Sequence, residues 1–348
     1  MVSTARVGVL NDMADDGPAP GDVSDWLEHE VQALQRCGRI TASVEFVHAY
    51  GLGLPSGTAE AIERAYQELA AQDVALVVGP AIGENALVLS PLVERLRLPT
   101  INWAGAERAR GKYMFQLQVG SHEDEPLVMA RYLASVGCRR LGVVFDVSPI
   151  GTRHLKFLQE EAAVLGLDVV AEAGISPLAD AAEQEVATVL GARPDAVLYL
   201  GLGMTAPAVA KAVTATDWDG CKIMNTAGLR GYSGDFARIC DGWTYIDMHS
   251  DTNATIKALC AAKNIPPEGA LAAAKGHDLG RLVAEGIARA TDHTREGLRA
   301  GLEHVKWLPA ALGEEGTLLG FGVHDRGALH GRYLVLRQWL DGRSVPVT

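Results

Sequence analysis

Gly201-Leu202-Gly203-Met204-Thr205-Ala206 follows an apolar run and opens a helix-like stretch with Pro207 near its start. The spacing G-x-G-x-x-[GA] is that of a dinucleotide-binding turn, in which backbone amides and a helix N-terminus hold a pyrophosphate. A nicotinamide-dependent oxidoreductase would use these residues. The following strand, however, ends at Asn225-Thr226-Ala227, where an acidic residue for the ribose hydroxyls is expected. A tight strand-to-helix turn that needs small residues explains the same pattern, and it is the favoured reading. Three histidines stand beside aspartates: His249 with Asp251, His277 with Asp278, and His324 with Asp325. None has HExxH or another metal-ligand spacing. His324-Asp325-Arg326-Gly327 reads as a turn joining strands, while His249 and His277 could offer hydrogen bonds to a ligand or serve packing alone. Ser233, in Gly231-Tyr232-Ser233-Gly234, has no G-x-S-x-G context and no evident base partner. The acidic run Glu123-Asp124-Glu125 fits the start of a helix, where carboxylates are favoured. No cofactor and no metal is expected, and nothing makes an enzyme compelling.

These residues need elements to position them. Short apolar strands alternate with amphipathic helices, which argues for parallel βαβ units and an α/β fold. Strands are expected at 6–10, 43–47, 74–78, 99–102, 140–145, 168–173, 196–200, 222–225 and 242–246. Helices are expected at 23–35, 58–70, 87–96, 126–135, 152–165, 181–190, 207–215, 252–263 and 270–289, with short closing strands at 317–323 and 333–339. The pattern restarts near Arg140 after a polar stretch, Val119-Gly120-Ser121-His122-Glu123-Asp124-Glu125-Pro126, which reads as a crossing between two similar lobes. In open parallel sheets ligands bind beyond the carboxyl ends of the strands. The turns after Val77-Val78 and after Ile101-Asn102 should therefore touch the ligand, yet they offer Gly83, Ala104, Gly105 and Ala106, with no charged clamp.

Composition bounds the partners. The chain has 348 residues, 48% hydrophobic and 21% charged, with net charge −12. That is long enough for two domains with full cores. No basic block is present, so neither nucleic acid nor an anionic membrane is an expected partner. No apolar run approaches a membrane span, and no signal peptide is visible before the strand at Val7-Gly8-Val9-Leu10. A cytoplasmic location is expected, with a periplasmic or cell-envelope location as the alternative if a leader was removed. The five cysteines lack a CxxC spacing and read as buried free thiols.

Several stretches, in order, carry a resemblance: Val78-Gly79-Pro80; Leu98-Pro99-Thr100-Ile101-Asn102; Arg140-Leu141-Gly142-Val143-Val144-Phe145-Asp146; Pro194-Asp195-Ala196-Val197; and Gly316-Thr317-Leu318 with Phe321 and Asp325-Arg326-Gly327. Residues 7–339 resemble the leucine/isoleucine/valine-binding protein family, the type I periplasmic binding-protein fold of ABC uptake systems. The resemblance implies two Rossmann-like lobes with parallel sheets joined by a three-strand hinge, closing on a ligand without chemistry. It divides the chain into 1–119 plus 249–326 and 120–248 plus 327–348. The family's amino-acid binders use polar contacts whose positions here are Gly83, Ala106, Ile150, Leu202 and Ala227, every one small or apolar. The positions of a disulfide seen in some members are Leu54 and Ile82.

A buried carboxylate or ammonium without a partner costs several kcal/mol. The lost grip therefore argues against an amino acid and for an apolar, aromatic or steroid-like ligand. The lining expected from this comparison includes Ile82, Gly83, Ala104, Ala106, Ile150, Leu202 and Ala227. Trp103, Tyr232 and Met248 are candidate walls, with Asn11, Asn102, His249 and His277 available for orienting hydrogen bonds. The expected function is solute binding for ABC-type uptake or for ligand sensing. Its partners would be the small molecule and either an ABC permease or a regulatory protein. The nicotinamide-dependent oxidoreductase using the 201–206 turn is the alternative.

Overall fold

The computed structural model describes residues 4–14, 21–232 and 234–347. The chain forms two compact units, Met1–Val119 with Met248–Tyr333, and Gly120–Asp247 with Leu334–Thr348. It passes between them three times. The last passage lies beyond the expected 326–327 because residues 328–330 still pair within the first unit.

Unit 1 begins with β1 (Thr4–Asn11), α1 (Val23–Arg36), β2 (Ser43–Tyr50), α2 (Ala59–Ala71), β3 (Leu76–Val78), α3 (Gly83–Leu96), β4 (Thr100–Asn102) and β5 (Met114–Gln116). Its five strands run parallel in the order β2-β1-β3-β4-β5. The order reverses between β1 and β3, which makes that point the crevice where such sheets take ligands. Two of the expected strands are shorter than their apolar runs: the sheet uses only Leu76–Val78 and Thr100–Asn102. β5, three residues long, was not anticipated.

Unit 2 follows with α4 (Asp124–Ser135), β6 (Arg140–Asp146), α5 (Pro149–Leu165), β7 (Asp168–Ile175), α6 (Glu183–Gly191), β8 (Ala196–Leu200), α7 (Ala206–Thr214), β9 (Cys221–Met224), α8 (Phe236–Ile239) and β10 (Thr244–Asp247). The chain then returns to unit 1 for α9 (Ala254–Lys263), α10 (Ala270–Arg289), α11 (Arg295–Glu303), β11 (Leu308–Pro309), β12 (Leu318–Leu319) and β13 (Leu329–His330), the last three forming a small antiparallel sheet. β14 (Val335–Leu340) and β15 (Arg343–Pro346) add two antiparallel strands to the sheet of unit 2, whose order is β15-β14-β10-β9-β8-β6-β7. Around β6 this repeats unit 1: the first strand lies between the second and the third, and the reversal falls between β6 and β8.

Alternation along the strands explains the burial. Leu141 and Val143 of β6, with Leu198 and Leu200 of β8, enter one core of unit 2; Val144, Val197 and Tyr199 enter the other. A period of two in a sheet covered on both faces gives this continuous apolar reading. Helix starts follow their caps: Ser148 accepts the Gly151 amide ahead of Pro149, Thr58 accepts the Ala61 amide, and Asn253 accepts those of Thr255 and Ile256. In unit 1, α10 packs on α1 through Gly276 and Gly280, where an added Cβ would fall 2.4 Å from the Cβ of Trp26 and 2.7 Å from that of Glu30. Of the five cysteines, Cys138 and Cys240 are buried, but Cys37 is exposed, contrary to the expectation for all five, because it follows the last turn of α1. Among the described residues no helix is long and apolar enough to cross a membrane.

Leu69 is fully buried and its methyl groups fill the space above Gly8 of β1. Leu69→Ala should cost about 2–5 kcal/mol. The check is a lower urea midpoint for unfolding with an unchanged denaturant slope.

Candidate functional site

The carboxyl end of β1 is where the site is built in unit 1. Asn11 accepts the Met13 amide through its own side chain (2.9 Å), so its oxygen holds the local turn. The next residue, Asp12, is 1% exposed and crosses the β1–β3 reversal. Its Oδ1 accepts the Ala81 amide at 2.8 Å, and its Oδ2 accepts the Ile82 amide at 3.0 Å and Asn85 Nδ2 at 2.8 Å. Asn85 in turn accepts the Leu54 amide at 2.9 Å, so one carboxylate ties together the turns after β1, β2 and β3. Burial raises the Asp12 carboxyl above its ordinary value, against the lowering effect of these donors.

Unit 2 repeats the arrangement at its own reversal. Asp146, the last residue of β6, accepts the Leu202 amide at 2.8 Å, the Tyr199 hydroxyl at 2.7 Å and the Thr205 hydroxyl at 2.9 Å. Burial again pushes the carboxyl up, opposed by those donors. Elsewhere in unit 1, Asp278 on α10 accepts the Ala311 and Leu312 amides at 2.8 and 3.0 Å. Glu125 in unit 2 accepts the Ser121 and Thr226 amides at 2.6 and 2.7 Å. Glu125 is therefore a buried clamp, more than the helix-end charge that its position in an acidic run implied. The Ser121 hydroxyl accepts the amide of Asp124, the first residue of α4.

The first three amides of the 201–206 turn are taken up within the chain. Gly201 donates to Asn225 Oδ1 (3.2 Å), Leu202 to Asp146, and Gly203 to the Tyr199 hydroxyl (3.2 Å). Asn225, standing where an acid was sought, returns Nδ2 to the Gly201 carbonyl. Small residues are required by contact: a Cβ on Gly201 would lie 2.2 Å from the Asp146 carboxylate, and Gly203 has φ +93°. The tight-turn reading explains the motif.

The other expected residues fall into several places. Asn11 and Trp103 share a crevice of about 60 Å³ in unit 1 with Met13, Ser24, Val78 and Leu279. The Lys275 ammonium lies 5.9 Å from the centre of the Trp103 ring. Ile82 precedes α3 without a side-chain cap, and Gly83 is its first, buried residue. Ala104 and Ala106 pack in the unit 1 core with Leu89 and Met114, so their small size answers to packing. Asn102 is fully buried; its Nδ2 donates to the Phe115 carbonyl (2.8 Å) and its Oδ1 accepts the Ala104 amide (3.3 Å). Met248 is buried, its carbonyl accepting the Gly313 amide. His249 lies 3.3 Å from Asp251 and lines a separate cavity of about 290 Å³ with Lys257, Cys260 and Ile265. His277 holds Asp278 at 3.0 Å and faces Glu30 of α1 at 3.8 Å. Burial pulls its pKa down, but the two carboxylates prevail and the net shift is upward.

In unit 2, Ile150 sits inside the first turn of α5 and not in the preceding turn, because Ser148 starts the helix earlier than the expected residue 152. Leu202 is half-buried, whereas Ala227 is packed in the core. The half-buried Tyr232 is anchored: its hydroxyl donates to Asp247 at 2.7 Å and its ring stands edge-on to Trp339 at 5.2 Å. Ser233 lies outside the described residues. Asp12, Asn85 and Asp146 were missed in the sequence. The available signal was a polar residue at the end of each lobe's first apolar strand. His122 and His154 were missed as well; their rings lie 5.3 Å apart beside Glu125. Among the described residues no group of three His, Cys, Asp or Glu side chains is placed to hold a metal.

The family model described as "Periplasmic binding protein" matches residues 43–329. No curated protein matches the chain. Similar solved structures include a periplasmic binding protein type 1 from Bordetella pertussis Tohama I, 17% identical with TM-score 0.84 over 99% of this chain and 100% of that one. An extracellular ligand-binding receptor from Rhodopseudomonas palustris HaA2 is 17% identical, TM-score 0.77, with the same coverage. An ABC transporter substrate-binding protein from Desulfitobacterium hafniense in complex with Leu is 16% identical, TM-score 0.77, over 99% and 100%. At these identities the likeness is one of fold.

Burial holds the His122 imidazole well below its ordinary 6.5, with His154 and Arg153 adding to the effect. The native side chain is neutral, so its stability contribution is present above about pH 6.5 and is lost as the pH falls below it. His122→Leu should flatten the stability profile on the acid side of pH 6.5, by at most about 1.4 kcal/mol per pH unit, read as urea midpoints across pH 4.5–7.5.

Proposed function

This chain belongs to the periplasmic binding protein family, and from that premise we propose that it binds an apolar, aromatic or steroid-like molecule and not an amino acid. The observation that carries the reading is the state of the strand-end turns. Gly83, Ala106 and Ala227 provide no polar side chain, and the amides of Ala81, Ile82 and Leu202 are already bound by Asp12 and Asp146. An amino acid needs partners for both a carboxylate and an ammonium, and either one left buried without them costs several kcal/mol. A ligand rich in carbon surface gains roughly 25 cal/mol per Å² on burial and needs few polar partners.

The periplasmic or extracellular space fits the family, in place of the cytoplasmic expectation, and an ABC permease is the partner that fits an uptake role. Sensing through a regulatory partner stays as the second use. The leucine complex of the Desulfitobacterium hafniense protein favours a competing reading, an amino-acid ligand. The engaged amides of Gly201, Leu202 and Gly203 weigh against the oxidoreductase alternative.

A thermal-shift screen separates these readings. Aromatic or steroidal compounds should raise the melting temperature by several degrees at concentrations well above Kd, with leucine and valine inactive; stabilisation by leucine or valine alone would overturn the proposal. Titration with NAD should give no saturable signal, since Gly201, Leu202 and Gly203 have no amide to offer.

A further inference from the structure

Two successive backbone N–H groups at the start of a helix form an anion site, because both donors and the helix dipole point at the same place. Ala81 and Ile82 are such a pair, immediately before Gly83, the first residue of α3. Here the anion comes from within the chain: each oxygen of the Asp12 carboxylate takes one of the two amides, at 2.8 and 3.0 Å. We infer that Asp12 is a specificity-determining residue, an internal anion that fills this hole and closes the β3–α3 turn to a ligand's carboxylate. The inference rests on the reading above that the strand ends of unit 1 meet the ligand.

The surroundings are built to keep Asp12 there. Asn85 Nδ2 donates to its Oδ2 at 2.8 Å. Asn85 can approach only because residue 53 is glycine; a Cβ there would lie 2.3 Å from that same nitrogen. The Gly53 amide also donates to the Asp12 carbonyl at 2.9 Å. A ligand carboxylate entering the turn would have to displace a tethered one and leave it buried beside a like charge, stripped of its donors. A ligand with a neutral end meets no such opposition. At the equivalent reversal of unit 2, Asp146 takes one backbone amide, that of Leu202, and the Tyr199 and Thr205 hydroxyls.

Removal of the internal anion should therefore create a site for an external one. The experiment compares the full-length wild type with Asp12→Gly, using sodium formate as the probe and sodium chloride at matched ionic strength as the control. The variant should melt lower than the wild type and recover saturably with formate but not with chloride, while the wild type ignores both. The affinity for benzoate relative to benzamide should rise at least tenfold from wild type to variant. A variant that is folded by circular dichroism, yet shows no formate dependence in melting or calorimetry, overturns the inference. So does an unchanged benzoate-to-benzamide ratio. If Asp12→Gly does not fold even with formate, Asp12→Ser decides by the same criteria, since its hydroxyl can accept one of the two amides. The two readings fail separately. A wild type that takes up no aromatic or steroidal probe counts against the proposed ligand class, whereas a folded variant indifferent to formate counts against the anion hole.

Discussion

A carboxylate placed at the end of the first strand of a parallel sheet is desolvated on all sides, and it stays only if amides or hydroxyls converge on it. Asp12 and Asp146 meet that condition in the same way. Each stands where the strand order reverses, and each reaches the turn that follows the third strand of its unit. The bond acts in both directions. The turn stabilises a charge that burial opposes, and the charge satisfies buried turn amides, which at Asp12 are those leading into the start of α3. The turns at both reversals take their shape from this exchange, and Asp278 and Glu125 use the same chemistry on the loops at 311–312 and 226.

This constraint gives meaning to residues that would otherwise look like losses. The Ala81, Ile82 and Leu202 amides of the strand-end turns are bound from inside, and the small residues nearby have packing roles. Ala104, Ala106 and Ala227 lie in cores. Gly201 and Gly203 leave room for Asp146, Ala227 and Arg230. The same bonding engages the Gly201, Leu202 and Gly203 amides of the turn with the dinucleotide pattern.

Much of the architecture was legible because it depends on periodicity. The alternation of buried strands and amphipathic helices gave both α/β units, and the polar stretch at 119–126 marked the first passage between them. Some short elements were not legible: β5 has three residues and β11 two, too few for any period to emerge. The candidate site was read less well. Tyr232 and Asn102 look like ligand groups in a sequence, since nothing there reveals that Asp247 and the Phe115 carbonyl already hold them. Partners 13 or more residues away in the chain leave no local trace.

The sequence by itself determined the class of fold, the absence of a charged side chain at Gly83, Ala106 and Ala227, and the weakness of the metal and nucleophile motifs. These follow from residue type and from spacing along one chain. Only the tertiary structure decided where the amides point. Asp12 meets Ala81 across 69 positions and Asp146 meets Leu202 across 56. Hydrogen bonds over such separations exist only after the strands have paired in register.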